Sequence, residues 1–223
     1  VIDKRVQSLA EAVAGIRDGS VVLCGGFGAS GQPDHLIHAL IEQGAKDLVI
    51  VSNNAGAGHI GLAALLDAGR VRKVICSYPR SAGSVVFERL WAAGKVELEL
   101  VPQGTLSERM RAAGAGLGGF YTPTGAGTKL AEGKEQRVID GRLYVFEKPL
   151  KGDVALIRAE RADRWGNLVY RKAARNFNPV MAMAADLTVV EVKETVELGA
   201  LDPEAIVTPG IFVDRVVEVG DPL

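Results

Sequence analysis

Four short apolar runs, each followed by a segment of helical periodicity, fill the first half of the chain and restrict it more than any other feature. The runs are SVVLC (20–24), DLVIVS (47–52), VRKVICSY (71–78) and KVELELVP (95–102), and residues 33–43, 60–67, 84–93 and 105–113 between and after them carry their apolar residues at helical spacing. Pro33 suits a first helical turn, where its missing N–H is not needed, and glycines at 44, 69, 94 and 114 suit helix ends. Strands that alternate with helices join as right-handed βαβ units around a parallel sheet. The predicted fold is therefore α/β, a mostly parallel open sheet with helices on both faces, preceded by a short helix over residues 8–16.

The second half adds a different grammar. Residues 114–128, GAGLGGFYTPTGAGT, hold six glycines and a proline, a composition that predicts loop throughout. Two strand-like runs then flank Asp140-Gly141, a two-residue hairpin signal, and a second hairpin is expected where DVALIRAERADRWGNLVYRK turns through Trp165, Gly166 and Asn167. Residues 185–194 and 206–219 read as further strands around LDPEA. These are the antiparallel hairpin additions expected in the C-terminal half. With no repeat and no composition break, residues 1–219 are expected to form one domain, with 220–223 as a tail.

Composition removes several function classes. Of the 223 residues, 48% are hydrophobic and 24% charged, which places the chain among globular proteins. Lysine and arginine (26) balance aspartate and glutamate (27), so no basic excess exists to attract a phosphate backbone, and no nucleic-acid partner is expected. No apolar stretch approaches the roughly 18 residues that span a bilayer, so no membrane association is expected. Cys24 and Cys76 both lie in apolar runs and read as buried hydrophobes, and the N-terminal residues lack the apolar core of a signal peptide, so the expected location is cytoplasmic.

The first strand-to-helix turn is the chemical feature. It contains GxGxxG at Gly26, Gly28 and Gly31, the pattern of a dinucleotide loop that presents backbone N–H groups and a helix N-terminus to phosphate. An NAD site also needs an acid at the end of the next strand for the ribose hydroxyls. Here that strand runs into SNNAG, and the nearest acid, Asp47, sits at its opposite end. An NAD-binding oxidoreductase therefore stands as an alternative only. In either case bare N–H groups are expected at the carboxyl edge of the sheet, able to hold a phosphate or an oxyanion.

GGFGASGQP (25–33), together with SNNAG (52–56), ELELVPQGTLSERMRAAGAG (97–116), FYTPTGAGT (120–128), DRWGNL (163–168) and ARNFNP (174–179), resembles the family I coenzyme A transferases, block by block and in the same order. The similarity runs over nearly the whole chain. It is strongest to the A (alpha) subunits of the bacterial 3-oxoacid and 3-oxoadipate CoA-transferases, and YRKAARNFNPVMAMAA leans toward the 3-oxoadipate type.

The resemblance implies a function: CoA moves from succinyl-CoA to a 3-oxo acid, 3-oxoadipate first and acetoacetate next. In that family a glutamate carboxylate attacks the acyl-CoA thioester and CoA thiolate then attacks the resulting anhydride, leaving a glutamyl-CoA thioester that the acceptor acid reverses. The family's nucleophile lies in a Ser-Glu-Asn-Gly type motif, and none occurs here. The glutamates of AEGKEQ, EVKETVE and DPEA read as loop or solvated-face acids. The resemblance thus implies no catalytic residue in this chain and a separate B (beta) subunit that supplies the glutamate, in an A2B2 heterotetramer. Eukaryotic members fuse the two halves.

Carried over by motif, the CoA-binding residues are Gly25, Gly26, Phe27, Gly28, Ala29, Ser30 and Gly31 of the loop, Asn53 and Asn54, and Gln103. The three amides suit the amide-bearing pantetheine arm. Read from the residues alone, Asn53 and Asn54 equally suit a turn after a strand, and Gln103 an anchor for a loop. No cofactor is expected, since CoA thioesters are substrates. A CoA-ester-binding protein without chemistry is the remaining alternative. His35 and His38 are spaced for metal ligation, but no further ligands complete a site and no metal is expected. Asn176 and Asn178 suit a role in shaping a nearby loop, and Asn178, ahead of Pro179, equally suits a helix cap. The basic run Arg171–Arg175 suits a solvated face, or the second carboxylate of a dicarboxylate acceptor.

Overall fold

The computed structural model describes residues 1–80 and 83–221. Positions 222 and 223 of the expected tail lie outside the described residues. After helix α1 (Leu9–Ala12), the first half alternates as expected: β1 (Val21–Cys24), α2 (Asp34–Gln43), β2 (Leu48–Asn54), α3 (Gly61–Asp67), β3 (Val71–Tyr78), α4 (Val85–Ala92), β4 (Glu97–Leu100) and α5 (Gln103–Gly114). The second half contributes β5 (Phe120–Thr122), β6 (Gln136–Ile139), β7 (Arg142–Glu147), β8 (Gly152–Asp163), β9 (Leu168–Val169), α6 (Asn178–Ala182), β10 (Ala185–Val196) and β11 (Arg215–Glu218).

The main sheet has the order β11-β10-β8-β1-β2-β3-β4, with β9 paired to β8. All its pairings are parallel except that of β9. From β1 the chain moves outward to β4, then returns to the far side of β1 and moves outward again through β8, β10 and β11. Right-handed crossovers that run in opposite directions deposit their helices on opposite faces. Accordingly, Leu36, Leu40, Leu65 and Phe87 of α2, α3 and α4 share a core with Val22, Cys24, Val154 and Leu156. Leu106, Met110 and Met181 of α5 and α6 pack on the other face with Leu23, Ala155 and Ile157. Successive residues of β1 and β8 thus enter different cores, which is why these strands read as continuous apolar runs without polar alternation.

Two expectations need correction. Residues 120–122 of the segment predicted to be all loop form β5, an edge of the small antiparallel sheet β5-β7-β6. Its pairing is to β7, with Phe120 opposite Glu147 and Thr122 opposite Val145, and Tyr121 meets the Phe146 ring edge-on at 5.2 Å. Local glycine content carries no trace of such a distant partner. At the C-terminus the expected strand over 206–219 is shortened to Arg215–Glu218, because a 3-10 turn at Gly210–Phe212 follows Pro209. The Asp140-Gly141 hairpin forms as expected, both residues having positive φ (47° and 76°) as a type I′ turn requires.

Strands β1 and β8 are neighbours from which the chain departs in opposite directions. That is the topological switch point of an open α/β sheet, where ligands bind outside the carboxyl ends of the strands.

Candidate functional site

The sheet is notched at this switch point. Strand β1 stops at Cys24, beside Leu156 of β8, while Leu23 lies opposite Val51 of β2. Both neighbours continue past it: β2 to Asn54, and β8 to Asp163. The glycine loop occupies the notch. Gly25 N–H extends the ladder by one bond to Leu156 O at 3.0 Å, and Phe27 and Ser30 then exchange N–H···O bonds of 3.0 and 3.1 Å around a two-residue tip. Gly28 holds φ at 60° in that tip, a conformation suited to glycine at the first central position of a tight turn. Gly28 and Ala29 are exposed, and among the described residues their N–H groups donate to no protein acceptor. Phe27 beside them is 52% exposed.

Below the tip the loop is clamped. Asn178, fully buried, donates from Nδ2 to Gly31 O (3.1 Å) and Ala174 O (2.8 Å), and its Oδ1 accepts the N–H of Arg158 at 3.1 Å. Asn176 Nδ2 donates to Ser30 O at 2.9 Å. Phe177 holds the N-cap position of α6 and no side chain caps that helix, so Asn178 is a loop clamp and not a helix cap. The loop's glycines follow from this packing. A Cβ on Gly25 would lie 2.8 Å from Asn178 Cγ and nearer still to its Oδ1, and one on Gly31 would lie 2.6 Å from Ala174 O.

On the other side of the notch stand the amides. Asn53 and Asn54 are not in a turn but form the buried end of β2, which ends two residues later than expected. Gln103 begins α5, and its Nε2 donates to Asn53 Oδ1 at 2.6 Å, joining residues 50 apart in sequence. This bond fixes which way the Asn53 amide faces. Asn54 Oδ1 instead accepts Gly56 N–H at 2.8 Å, and Ser52 Oγ donates to the Asn54 carbonyl at 2.6 Å, so Asn54 also shapes the exit from the strand. The fold therefore brings Gly25–Gly31, Asn53, Asn54 and Gln103 to one edge. In a working complex Gln103→Ala is expected to reduce kcat about tenfold, the equivalent of one lost hydrogen bond, and to shift Tm by no more than about 3 °C. Steady-state kinetics and a thermal melt check both.

One reading from sequence is overturned here. Glu191, counted with the solvated acids of EVKETVE, is 0% exposed. Its Oε2 accepts the N–H of Leu36 in the first turn of α2 at 2.9 Å, and its Oε1 accepts from Arg158 Nη1 at 2.5 Å. Burial pushes the Glu191 carboxyl above its ordinary range, while the Leu36 N–H and the Arg158 guanidinium pull it back. The same carboxylate occupies part of the N-terminus of α2. Pro33 in the N-cap position brings no N–H, and an internal carboxylate takes that of Leu36. A pyrophosphate would find one donor of that helix end already engaged. Exposed free donors stand at the tip of the loop.

The loop-shaping alternative for Asn178 is the one its hydrogen bonds support. Arg158 and Glu191 were absent from the site candidates singled out by sequence, although a signal existed for this pair. Each interrupts an apolar run, VALIRA and TVVEV, and a charge in a strand buried on both faces must find a partner. The remaining candidates are placed as follows. His35 Nδ1 lies 3.5 Å from Glu191 Oε1, and His38 Nε2 accepts Gly61 N–H at 3.3 Å. Cys24 and Cys76 are buried, and burial pushes both thiols up to about 12, so neither is a thiolate at neutral pH. Arg171, Lys172 and Arg175 are exposed on a 3-10 turn (Lys172–Arg175) whose Ala174 carbonyl abuts Gly31.

The sequence model of the family described as Coenzyme A transferase matches residues 6–219. Among curated relatives, the A-type subunit of the 3-oxoadipate CoA-transferase of Pseudomonas putida is 63% identical over 219 residues, covering 98% of this chain and 95% of that protein. The A-type subunit of the probable succinyl-CoA:3-ketoacid coenzyme A transferase of Bacillus subtilis is 51% identical over 214 residues, with coverage of 96% and 89%. Among solved structures, an acyl-CoA transferase of E. coli O157:H7, crystallised as a thioester complex with CoA, superposes with a TM-score of 0.85 at 24% identity, over 97% of this chain and 50% of that one.

Proposed function

The chain belongs to the coenzyme A transferase family, and from that premise we propose that it is the A-type subunit of an enzyme that transfers CoA from succinyl-CoA to 3-oxoadipate, with acetoacetate as the next acceptor. The observation that carries this reading is the 63% identity, over nearly the full length of both proteins, to the A-type subunit of a 3-oxoadipate CoA-transferase. The site supports it. Each acyl transfer passes through a tetrahedral oxyanion, and unengaged, oriented N–H groups at a loop tip are the donors such an intermediate needs. The thioester carbonyl is placed at Gly28 and Ala29, with the pantetheine arm along Phe27, Asn53 and Gln103.

The nucleophilic glutamate comes from a B subunit. Glu191, the acid beneath the loop, is fully enclosed and held by Arg158 and Leu36, which leaves it no route to a thioester. The complex is an A2B2 heterotetramer of the cytoplasm. It uses CoA thioesters as substrates and needs no cofactor. Arg171, Lys172 and Arg175, beside the clamped end of the loop, are the residues assigned to the second carboxylate of the acceptor. Acceptor competition tests the substrate assignment: with the two-subunit complex, kcat/KM for 3-oxoadipate is expected to exceed that for acetoacetate at least tenfold. Equal values would replace the assignment with a general 3-oxo acid.

A further inference from the structure

Helix α2 follows the glycine loop directly, and its start is held from outside its own sequence. Its N-cap residue, Pro33, makes no side-chain capping bond, and Asp34 Oδ1 is engaged by Gln32 Nε2 at 2.6 Å. The acceptor for Leu36 N–H is the carboxylate of Glu191, on a strand 155 residues further along the chain. In β10 Glu191 is the register partner of Arg158 in β8. Counting on from the pairs Cys24–Leu156 and Leu156–Val189, that level is the one just past the end of β1, where the loop begins.

The C-terminal end of the loop and the helix that follows it are therefore referred to one pair of residues. Arg158 pairs with Glu191 through its guanidinium, and its backbone N–H is held by Asn178, whose amide nitrogen holds Gly31 O. Arg158 Nη2 also donates to Gly220 O at 3.3 Å, which ties the end of the described chain to the same point. The other groups facing Glu191 are His35 Nδ1 at 3.5 Å and the N–H of Leu36. Burying an ion pair is costly in free energy and is seldom favoured for stability alone. A carboxylate that caps the helix behind a loop, while its partner anchors the loop's clamp, has a geometric task.

We propose that Glu191 is a positioning residue for the glycine loop: by capping α2, with its buried charge balanced by Arg158, it fixes the loop tip relative to the sheet, so that the Gly28 and Ala29 donors are preorganised. The assignment rests on the transferase reading for its effect on turnover, but not for its effect on loop order. The test compares two double variants, each of which removes both charges together so that no unpaired ion stays buried. Arg158→Met/Glu191→Gln retains a side-chain oxygen for Leu36 N–H, whereas Arg158→Met/Glu191→Leu does not.

In the two-subunit complex, the leucine double variant is expected to lose at least tenfold in kcat with KM for succinyl-CoA changed less than about threefold, while the glutamine double variant stays within about threefold of wild type in both. By NMR on the full chain, exchange of the Phe27, Ser30 and Leu36 amides is expected to be at least tenfold faster in the leucine variant than in the glutamine variant. Equal exchange in the two variants overturns the proposal whether or not the complex is active. Equal kcat with unequal exchange overturns its catalytic part. A wild-type complex with no transfer activity would overturn the function reading instead, and the exchange comparison would still decide the role of Glu191.

Discussion

Gly25→Ala is expected to unseat the site from below, lowering stability by about 4 kcal/mol and Tm by about 8 to 16 °C for a chain of this size. The added methyl has nowhere to go. It would stand 2.8 Å from Asn178 Cγ and overlap Oδ1, and Asn178 is fully buried, so the amide must swing away. Its departure leaves Gly31 O, Ala174 O and Arg158 N–H short of partners they now have at 3.1, 2.8 and 3.1 Å. Overpacking a core and leaving buried polar groups unpaired each cost about 1 to 3 kcal/mol, and here they arrive together. Whatever fraction stays folded is expected to lose at least about 100-fold in kcat/KM, because the loop is then no longer clamped. A calorimetric melt beside steady-state rates measures both losses.

Gly28→Val separates the tip of the loop from its base. A Cβ at Gly28 meets nothing within 4 Å, so no packing is disturbed; the penalty is conformational, φ being 60°. A left-handed backbone costs a side-chain-bearing residue about 1 to 2 kcal/mol, which limits the fall in Tm to about 8 °C. Activity is expected to fall about 100-fold, since the isopropyl group stands over the exposed tip of the loop, whose N–H groups are unengaged among the described residues. The pairing of a small melt shift with a large rate loss distinguishes this position from Gly25. A variant that turns over at the wild-type rate would show that the tip is a turn and nothing more.

The contrast between these glycines shows how far the sequence could be read. The apolar runs 20–24 and 47–52 and the periodicity of 33–43 specify strand, turn and helix in that order, and they alone place the loop at the carboxyl edge of a parallel sheet. Local turn chemistry at Asp140-Gly141 is equally explicit. What these patterns do not contain is the pairing of β8 with β1, across which Asp153 accepts the N–H of Val21 from 132 residues away. Without that neighbour, Asn178 is only an asparagine before a proline, and nothing marks Gly25 and Gly31 as the glycines that pack while Gly28 is the one that is open. Glu191 was misread because EVKETVE was judged by its composition. Glu191 lies where β10 is buried on both faces (188–192), whereas Glu194 lies on its exposed end and Glu197 beyond it. Asn53 and Gln103 each carry a legible chemistry, but their mutual bond depends on α5 starting where β4 ends.

The central claim is that this chain supplies the loop and amides of a CoA-transferase site while another subunit supplies the carboxylate. Mixing decides it most directly. The purified chain is given succinyl-CoA and 3-oxoadipate, first alone and then with the B subunit, and 3-oxoadipyl-CoA is measured by mass. The account predicts no transfer from the chain alone and sustained transfer from the mixture, with the glutamyl-CoA thioester trapped on the B subunit; full transfer by the chain alone, or a thioester trapped on one of its own carboxylates, would contradict it.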